Sequence, residues 1–558
     1  MPSPGVRHTV RTYAIAAVSL AALALGIGAA FTACTQDDLR FFSGRSGSPT
    51  SSSGRDRGTD TLIVGRAADV VGMDPARFAE NESVEVCEQV FEHLVRLRTD
   101  GQDVEPALAT AWEISRDGKA YTFHLRKDVL FHDGTRFDAE AVRFSFERQL
   151  DKRHPFRMSD FTYWDNNFST VVRAIEVIDP LTVRLYLYDR SAPLMASLAM
   201  FPVSIVSPTA VKKWGAAFAE HPVGTGPFRF VEWQKGDRVL LARWDGYWGG
   251  KAKLASVVFK NIPDARQRLV ALEGGAIDVA YGILPEELQF VALHPELKLV
   301  RSPGQNVAYV AMNTQKPPWT DARVRRAVNH AVNKVPIVSL VYQGNAVPAS
   351  GPVPPTLWSY DPDVVQYPYD PDRARALLAE AASAVQLDPE KRYKLYAPAT
   401  PRPYLPDPER IARAIQRNLE DVGLHFELVL LPFPEFPTAV EHGDHDLCLI
   451  GWTADIPDPD NFLYQLLSRD NAVVGEHARN LAFYRNANVS GLLQYAQGTS
   501  IRAEREDYYR QAQELIAVDA PWVPLAHAAL AVATRIDVQD LAIHASSLVY
   551  YQTVWIKP

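Results

Sequence analysis

Hydrophobic and polar positions divide the chain into three stretches of different character. The first runs from Tyr13 to Phe31 as a nearly continuous apolar segment, preceded by Arg7, His8 and Arg11 and followed by the small residues Thr32 and Ala33 before Cys34. Positive charge, then an apolar run, then small residues is the order of an export signal. A run of about 19 apolar residues is also long enough to cross a bilayer as an uncleaved helix, although Gly26 and Gly28 weaken that helix. Both readings leave the positive charge on the cytoplasmic side and send the rest of the chain across.

The second stretch, residues 35–60, is rich in Ser, Gly, Arg and Asp and offers almost nothing to bury, so it reads as a flexible tether. From Thr61 onward the pattern becomes globular and mixed. Tyr121, Phe123 and Leu125 alternate as a strand between turns at Asp117-Gly118 and Asp133-Gly134. Ala139 to Leu150 reads as a helix with Asp138 as N-cap and with Val142, Phe144 and Phe146 facing a core. Pro-rich segments at 348–355 and 401–408 read as ordered loops. No repeat with a period of 20 to 50 residues is present, and the fold class expected is α/β with mixed sheets.

Composition narrows the function. The chain has 558 residues, 47% of them hydrophobic, which is enough for two or three domains with real cores. A net charge of −8 without a basic run argues against nucleic-acid binding. Beyond Cys34 there are only Cys87 and Cys448, each beside apolar residues, which favours buried free thiols over a disulfide framework.

Enzyme motifs are missing: no G-x-S-x-G elbow, H-E-x-x-H pair or Walker A loop occurs. Gly224-Thr225-Gly226 begins like a dinucleotide loop, but Pro227 follows and then a strand-like alternation, where such a site needs a helix. His442, Asp444, His445 and Asp446 lack the spacing of a helical ligand pair and read as a solvated turn before the apolar run 447–450. No cofactor or metal is expected, and paired acids for glycoside hydrolysis are not identifiable from spacing.

The segment from Val104 to Arg148 resembles the solute-binding proteins of bacterial ABC importers for peptides and nickel, the extracellular family 5 type. It carries Trp112 ahead of Asp117-Gly118, then Tyr121-Thr122-Phe123 with Leu125-Arg126, then Asp133-Gly134 and a helix bearing aromatics. Further similarities are Met73-Asp74-Pro75, Gly224 to Phe228, Tyr247-Trp248, Gly275 to Asp278, Asn313 to Pro318 and Asp321 to Arg325. The resemblance implies a two-lobed fold with a hinge and a ligand held between the lobes. Lobe I would comprise 61–85, 210–305 and 522–558, an inserted subdomain 86–209, and lobe II 306–521. Thr32, Ala33 and Cys34 also resemble the lipobox of bacterial lipoproteins, whose cysteine receives diacylglycerol, with Phe31 in place of the usual leucine.

Two places resemble ligand contacts of the dipeptide-binding and oligopeptide-binding members. In Gly451-Trp452-Thr453-Ala454-Asp455 the resemblance gives Asp455 the ligand's α-amino group, and in Arg402-Pro403-Tyr404 it gives Arg402 the C-terminal carboxylate. A guanidinium matches a carboxylate bidentately. Trp452 and Tyr404 would wall the pocket, and the strand around Gly451 and Thr453 would pair with an extended peptide. The expectation is a monomeric, exported, lipid-anchored receptor that hands short peptides to an ABC permease. A metal-chelate, haem or antimicrobial-peptide receptor of the same fold is the alternative, and a secreted hydrolase an alternative of another class.

Overall fold

One 14-residue strand, Trp522–Arg535, belongs to both halves of a 12-stranded sheet and sets their relation. In the computed structural model, which describes residues 58–558 apart from 79, 99–100, 102, 158–160, 386, 434, 476–477 and 545–547, its first residues pair antiparallel with Asn306–Met312 and its last with Leu297–Pro303. Only Gly304 and Gln305 separate those two partners. Asn306 closes the crossing by copying a peptide group: its Nδ2 donates to the Ala528 carbonyl at 2.8 Å and its Oδ1 accepts from the Ala528 N–H at 2.8 Å. His527 Nδ1 donates to the Asn306 carbonyl at 2.7 Å. A Cβ at Gly304 would stand 2.2 Å from Asn306 Nδ2 and 2.4 Å from the Ala528 carbonyl oxygen, so this position needs glycine.

On one side of the crossing Thr61–Arg66 pairs parallel with Ser256–Asn261 and with Val279–Ala280, and antiparallel strands Arg238–Arg243 and Phe228–Gln234 complete the edge. Asp278, from the Gly275 to Asp278 motif, accepts the Ile63 N–H at 2.8 Å. On the other side Arg392–Pro398 lies parallel to His425–Leu431 and to Leu447–Thr453. Asn306–Met312 is buried at every position, as a central strand covered on both faces should be. Helices Ala322–Ala331 and Pro408–Glu420 cover one face, through Val328, Ile411 and Ile415 among others.

A separate four-stranded antiparallel sheet joins Ala109–Ile114, Ala120–Leu125, Thr182–Leu187 and Val172–Asp179 in that order. Tyr121, Phe123 and Leu125 face its core as the alternation predicts. The helix Ala139–Leu150 starts on Asp138, which accepts the Ala141 N–H at 3.0 Å. Val142 and Phe146 enter the core of this sheet, but Phe144 leaves it and packs with His154 and Phe156 against a different cluster. Residues two apart on a helix point to nearly opposite sides, so the three could not share one core.

Side-chain links fasten this sheet to the larger one, and the resembling motifs supply them. Arg148 grips Asp74 of Met73-Asp74-Pro75 through two buried bonds of 2.6 and 3.0 Å. Glu92 accepts from Thr225 Oγ1 at 2.7 Å, Tyr247 OH at 2.9 Å and Trp248 Nε1 at 2.9 Å, while the Arg126 guanidinium sits 3.8 Å from a Trp248 ring. The Gly226 N–H donates to the Val90 carbonyl at 2.9 Å, and the strand Phe228–Gln234 follows, so this loop is scaffold and not a dinucleotide site. Cys87 and Cys448 are free and buried, and burial pushes both thiols up. The export segment, Cys34 and the tether to residue 57 lie outside the described residues. Among those described, no helix is long and apolar enough to cross a membrane.

The helix Asn81–Val90 and the residues after it hold a row of acids, Glu88 buried and Glu85 and Glu92 half-buried. Burial raises Glu85 to about 7, Glu88 to about 8 and Glu92 to about 7, from 4.5. The native state thus binds these protons more tightly than the unfolded chain, so stability declines as pH rises from the unfolded value through the folded one. His93, His132, His445 and His527 are lowered to about 4 by burial, which removes stability below 6.5. Lys334, lowered to about 8 by burial, opposes the acids only toward pH 8 and above, so the acids dominate just above 6.5 and the melting temperature is expected to fall between pH 6.5 and 7.5. Glu88→Gln should flatten that fall in calorimetric melts across the range, and an unchanged slope would remove Glu88 as its source.

Candidate functional site

The strand Leu447–Thr453 carries the expected site, and its two edges differ. Along one edge it pairs with Asn306–Met312 over its whole length, from Met312 opposite Leu447 to Asn306 opposite Thr453. Along the other it meets Arg392–Pro398 only at Leu395 opposite Leu447 and Tyr396 opposite Cys448. From Leu449 to Thr453 that second edge has no ladder partner among the described strands. The cause is the Pro-rich segment after Pro398: the chain turns away at Ala399, whose N–H goes to Leu431, and closes a tight loop in which Arg402 and Leu405 exchange both backbone bonds at 2.8 Å.

Tyr404 from that loop lies on Gly451. A Cβ at 451 would be 2.3 Å from Tyr404 Cδ2 and 2.5 Å from the Val307 carbonyl oxygen, so the glycine permits the contact. The Arg402 and Asp455 loops therefore both lie beyond the carboxyl ends of neighbouring parallel strands, where ligands of open α/β sheets bind.

Asp455 is held from three directions. Its N–H donates to Asn461 Oδ1 at 3.1 Å, and Trp452 Nε1 donates to the same oxygen at 2.8 Å, which fixes strand end and loop together. Its Oδ1 accepts from Tyr163 OH at 2.9 Å, across 292 residues of sequence, from the short helix Thr162–Asn167 beside the smaller sheet. Burial pushes the Asp455 carboxyl up, opposed by the Tyr163 bond, by the positive charge of Arg479 and by Asn461. Arg479 also lies 5.7 Å from the Trp452 ring. The neighbouring Asp458 is committed elsewhere, to a buried bidentate pair with Arg505 at 2.7 and 2.8 Å. Asp460 is raised to about 7 by burial and by Asp458.

Arg402 is half-buried with its guanidinium 3.4 Å from the centre of the Phe433 ring. Its Nε is buried without a hydrogen-bond partner, and its other polar contact is with the Tyr404 hydroxyl. No carboxylate among the described residues pairs with it. A cation laid on an aromatic face and left without a counter-ion is poised for an anionic ligand group.

Asp455, Trp452, Thr453, Gly451 and Tyr404 are thus gathered at one strand end, with Arg402 two residues from Tyr404. Tyr163, Asn461, Arg479 and Phe433 were not read from the sequence. Asn461 lies six residues beyond Asp455, and nothing in the spacing says that its amide oxygen serves two donors. The cluster His442 to Asp446 does not converge: His442 Nδ1 meets Thr438 O at 2.7 Å, His445 Nε2 meets Leu481 O at 2.9 Å, and Asp446 accepts the Lys394 N–H at 2.9 Å. No metal-binding group of three such side chains occurs among the described residues.

Two sheet halves joined by two short crossings, with charged loops meeting between elements distant in sequence, define a two-lobed binding protein. The family model for bacterial extracellular solute-binding proteins, family 5, matches residues 103–473. The chain belongs to that family. It is 35% identical to the heme-binding protein A of Haemophilus influenzae over 84% of this chain and 87% of the relative. It is 32% identical to the dipeptide-binding protein of Escherichia coli over 89% of this chain and 95% of the relative. Among solved structures it resembles the periplasmic binding protein DppA from Helicobacter pylori in complex with the peptide STSA, with 33% identity and a TM-score of 0.76, covering 89% of this chain and 98% of that one.

Gly451→Ala should drive Tyr404 off the strand. A loss of about 1 to 3 kcal/mol is expected from such overpacking, read as a lower melting temperature, and an unchanged melt would show that the Tyr404 ring yields freely.

Proposed function

We propose that this protein is a lipid-anchored receptor that captures dipeptides or short peptides outside the cytoplasm and delivers them to an ABC permease. The observation that carries the reading is the pair of opposite charges without ion-pair partners, Asp455 and Arg402, on loops that flank an unpaired strand edge. Asp455 takes the ligand's α-amino group and Arg402 its carboxylate. The free edge from Leu449 to Thr453 offers backbone groups to the peptide bond. Trp452 and Tyr404 form walls, and lobes with the bounds expected from the sequence close about the crossings 303–306 and 526–529. Fixed charges at both ends select zwitterions of limited length, and side chains matter less. No bond is made or broken.

The relatives support this choice: one is named for dipeptides, and a solved structure of similar fold holds a peptide. The resemblance to heme-binding protein A favours a second reading, a haem receptor on the same scaffold. Calorimetric titration with a dipeptide, its N-acetyl form, its C-terminal amide and haemin separates them. The free dipeptide alone should bind tightly; equal binding of all three peptides would exclude the two-charge arrangement, and haemin binding alone would establish the second reading. Asp455→Asn and Arg402→Gln should each weaken dipeptide binding at least tenfold, because a desolvated charge loses its counter-ion at a cost of roughly 2 to 5 kcal/mol.

Lipidation of Cys34 supplies the anchor, and the 35–60 segment supplies reach. In cells, the protein should partition with membranes and Cys34→Ser should release it. Membrane association of the Cys34→Ser chain would indicate an uncleaved helix instead.

A further inference from the structure

We propose that Ile456 is the residue that holds the cleft shut, a positioning residue that acts on the ligand through Asp455 beside it. Ile456 follows the strand Leu447–Thr453 of the larger sheet's second half, yet it is only 5% exposed and belongs to the core of the smaller sheet. Every other fully buried member of that core comes from residues 76–205, among them Phe161, Trp164, Leu198 and Met200. An isoleucine has thus crossed from one body into the apolar interior of another.

Two polar contacts also cross between these bodies. Tyr163 OH reaches Asp455 at 2.9 Å, with the Tyr163 ring packed edge-on against Phe201 at 4.7 Å. The Ala192 N–H donates to the Gln497 carbonyl at 2.9 Å, linking the loop after the smaller sheet to the helix Ala487–Gly498. Both polar contacts exchange with water at little net gain when the bodies separate. Burying the Ile456 side chain is different, because opening returns its apolar surface to water. The apolar contact therefore biases the closed arrangement, and the polar ones fix its register.

This inference rests on the reading that Asp455 binds the ligand, which gives the contact its purpose. Asp455 and Ile456 are consecutive, so a ligand amine held by Asp455 is trapped while Ile456 stays in the opposite core. The Ile456 side chain has no polar atom for the ligand. Its effect should fall on release rather than capture.

The test compares Ile456→Val with Ile456→Thr, which have the same shape and differ in polarity. The readout that needs no ligand is amide hydrogen exchange of the full chain, followed at Ala192. Ile456→Thr should speed that exchange about tenfold and Ile456→Val less than about threefold, with the strand Asn306–Met312 protected alike in both as the control for folding. Equal exchange at Ala192 in the two variants would overturn the inference, whatever the ligand proves to be. Dipeptide kinetics add the functional arm. The dissociation rate should rise at least tenfold in Ile456→Thr with the association rate within about threefold of the parent. A loss confined to association would also overturn it. Failure of the parent chain to bind any dipeptide would count against the peptide reading and leave the exchange result standing.

Discussion

The amide of Asn306 is the contact on which the architecture turns. Two chain segments carry the sheet from one lobe to the other, and each is only a few residues long. Without a tie between them the crossings would be independent strands, free to twist apart. Asn306 gives Ala528 both a donor and an acceptor, so a side chain continues the ladder where the backbone of residues 304 and 305 cannot. Gly304 makes room for it. The lobes are thereby connected by a short, hydrogen-bonded joint, in which few torsions are available to absorb a change of angle.

Around that joint the protein keeps two kinds of charge apart. Asp74 with Arg148 and Asp458 with Arg505 are paired bidentately and buried, and they fasten helices to the scaffold. Removing one member of such a pair is costly, since its partner stays desolvated and alone. Asp455 and Arg402 have no such partner: the first meets a tyrosine hydroxyl, the second an aromatic face. Arg479 acts on Asp455 through its charge without a direct ion pair, so neither group is neutralised by a bidentate contact. The difference lies in the surroundings and not in residue type, because all of these residues are aspartates or arginines in the same molecule.

The local elements were legible wherever period and capping agreed. The strand Ala120–Leu125 and the helix Ala139–Leu150 with its Asp138 cap appear as read. Phe144 shows the limit: residue type marked it as apolar, but only the helical angle tells which core receives it. The family resemblance pointed to a two-lobed fold that local periodicity alone could not give. Within the site, contiguous segments such as Gly451 to Asp455 could be located in advance. Tyr163 and Phe433 could not, because their relation to Asp455 and Arg402 is created by packing between segments far apart in sequence. Asp458 illustrates the converse, an acid close to Asp455 in sequence that Arg505 uses up.

The two buried thiols have a bearing on how the chain behaves before and after it folds. Cys87 lies in a helix and Cys448 near the start of a strand, and burial disfavours the thiolate of each. Only the thiolate attacks a disulfide, so the folded protein is inert in an oxidising space where an extended chain is not. A molecule that folds promptly keeps both cysteines reduced, and one that lingers unfolded is open to crosslinking.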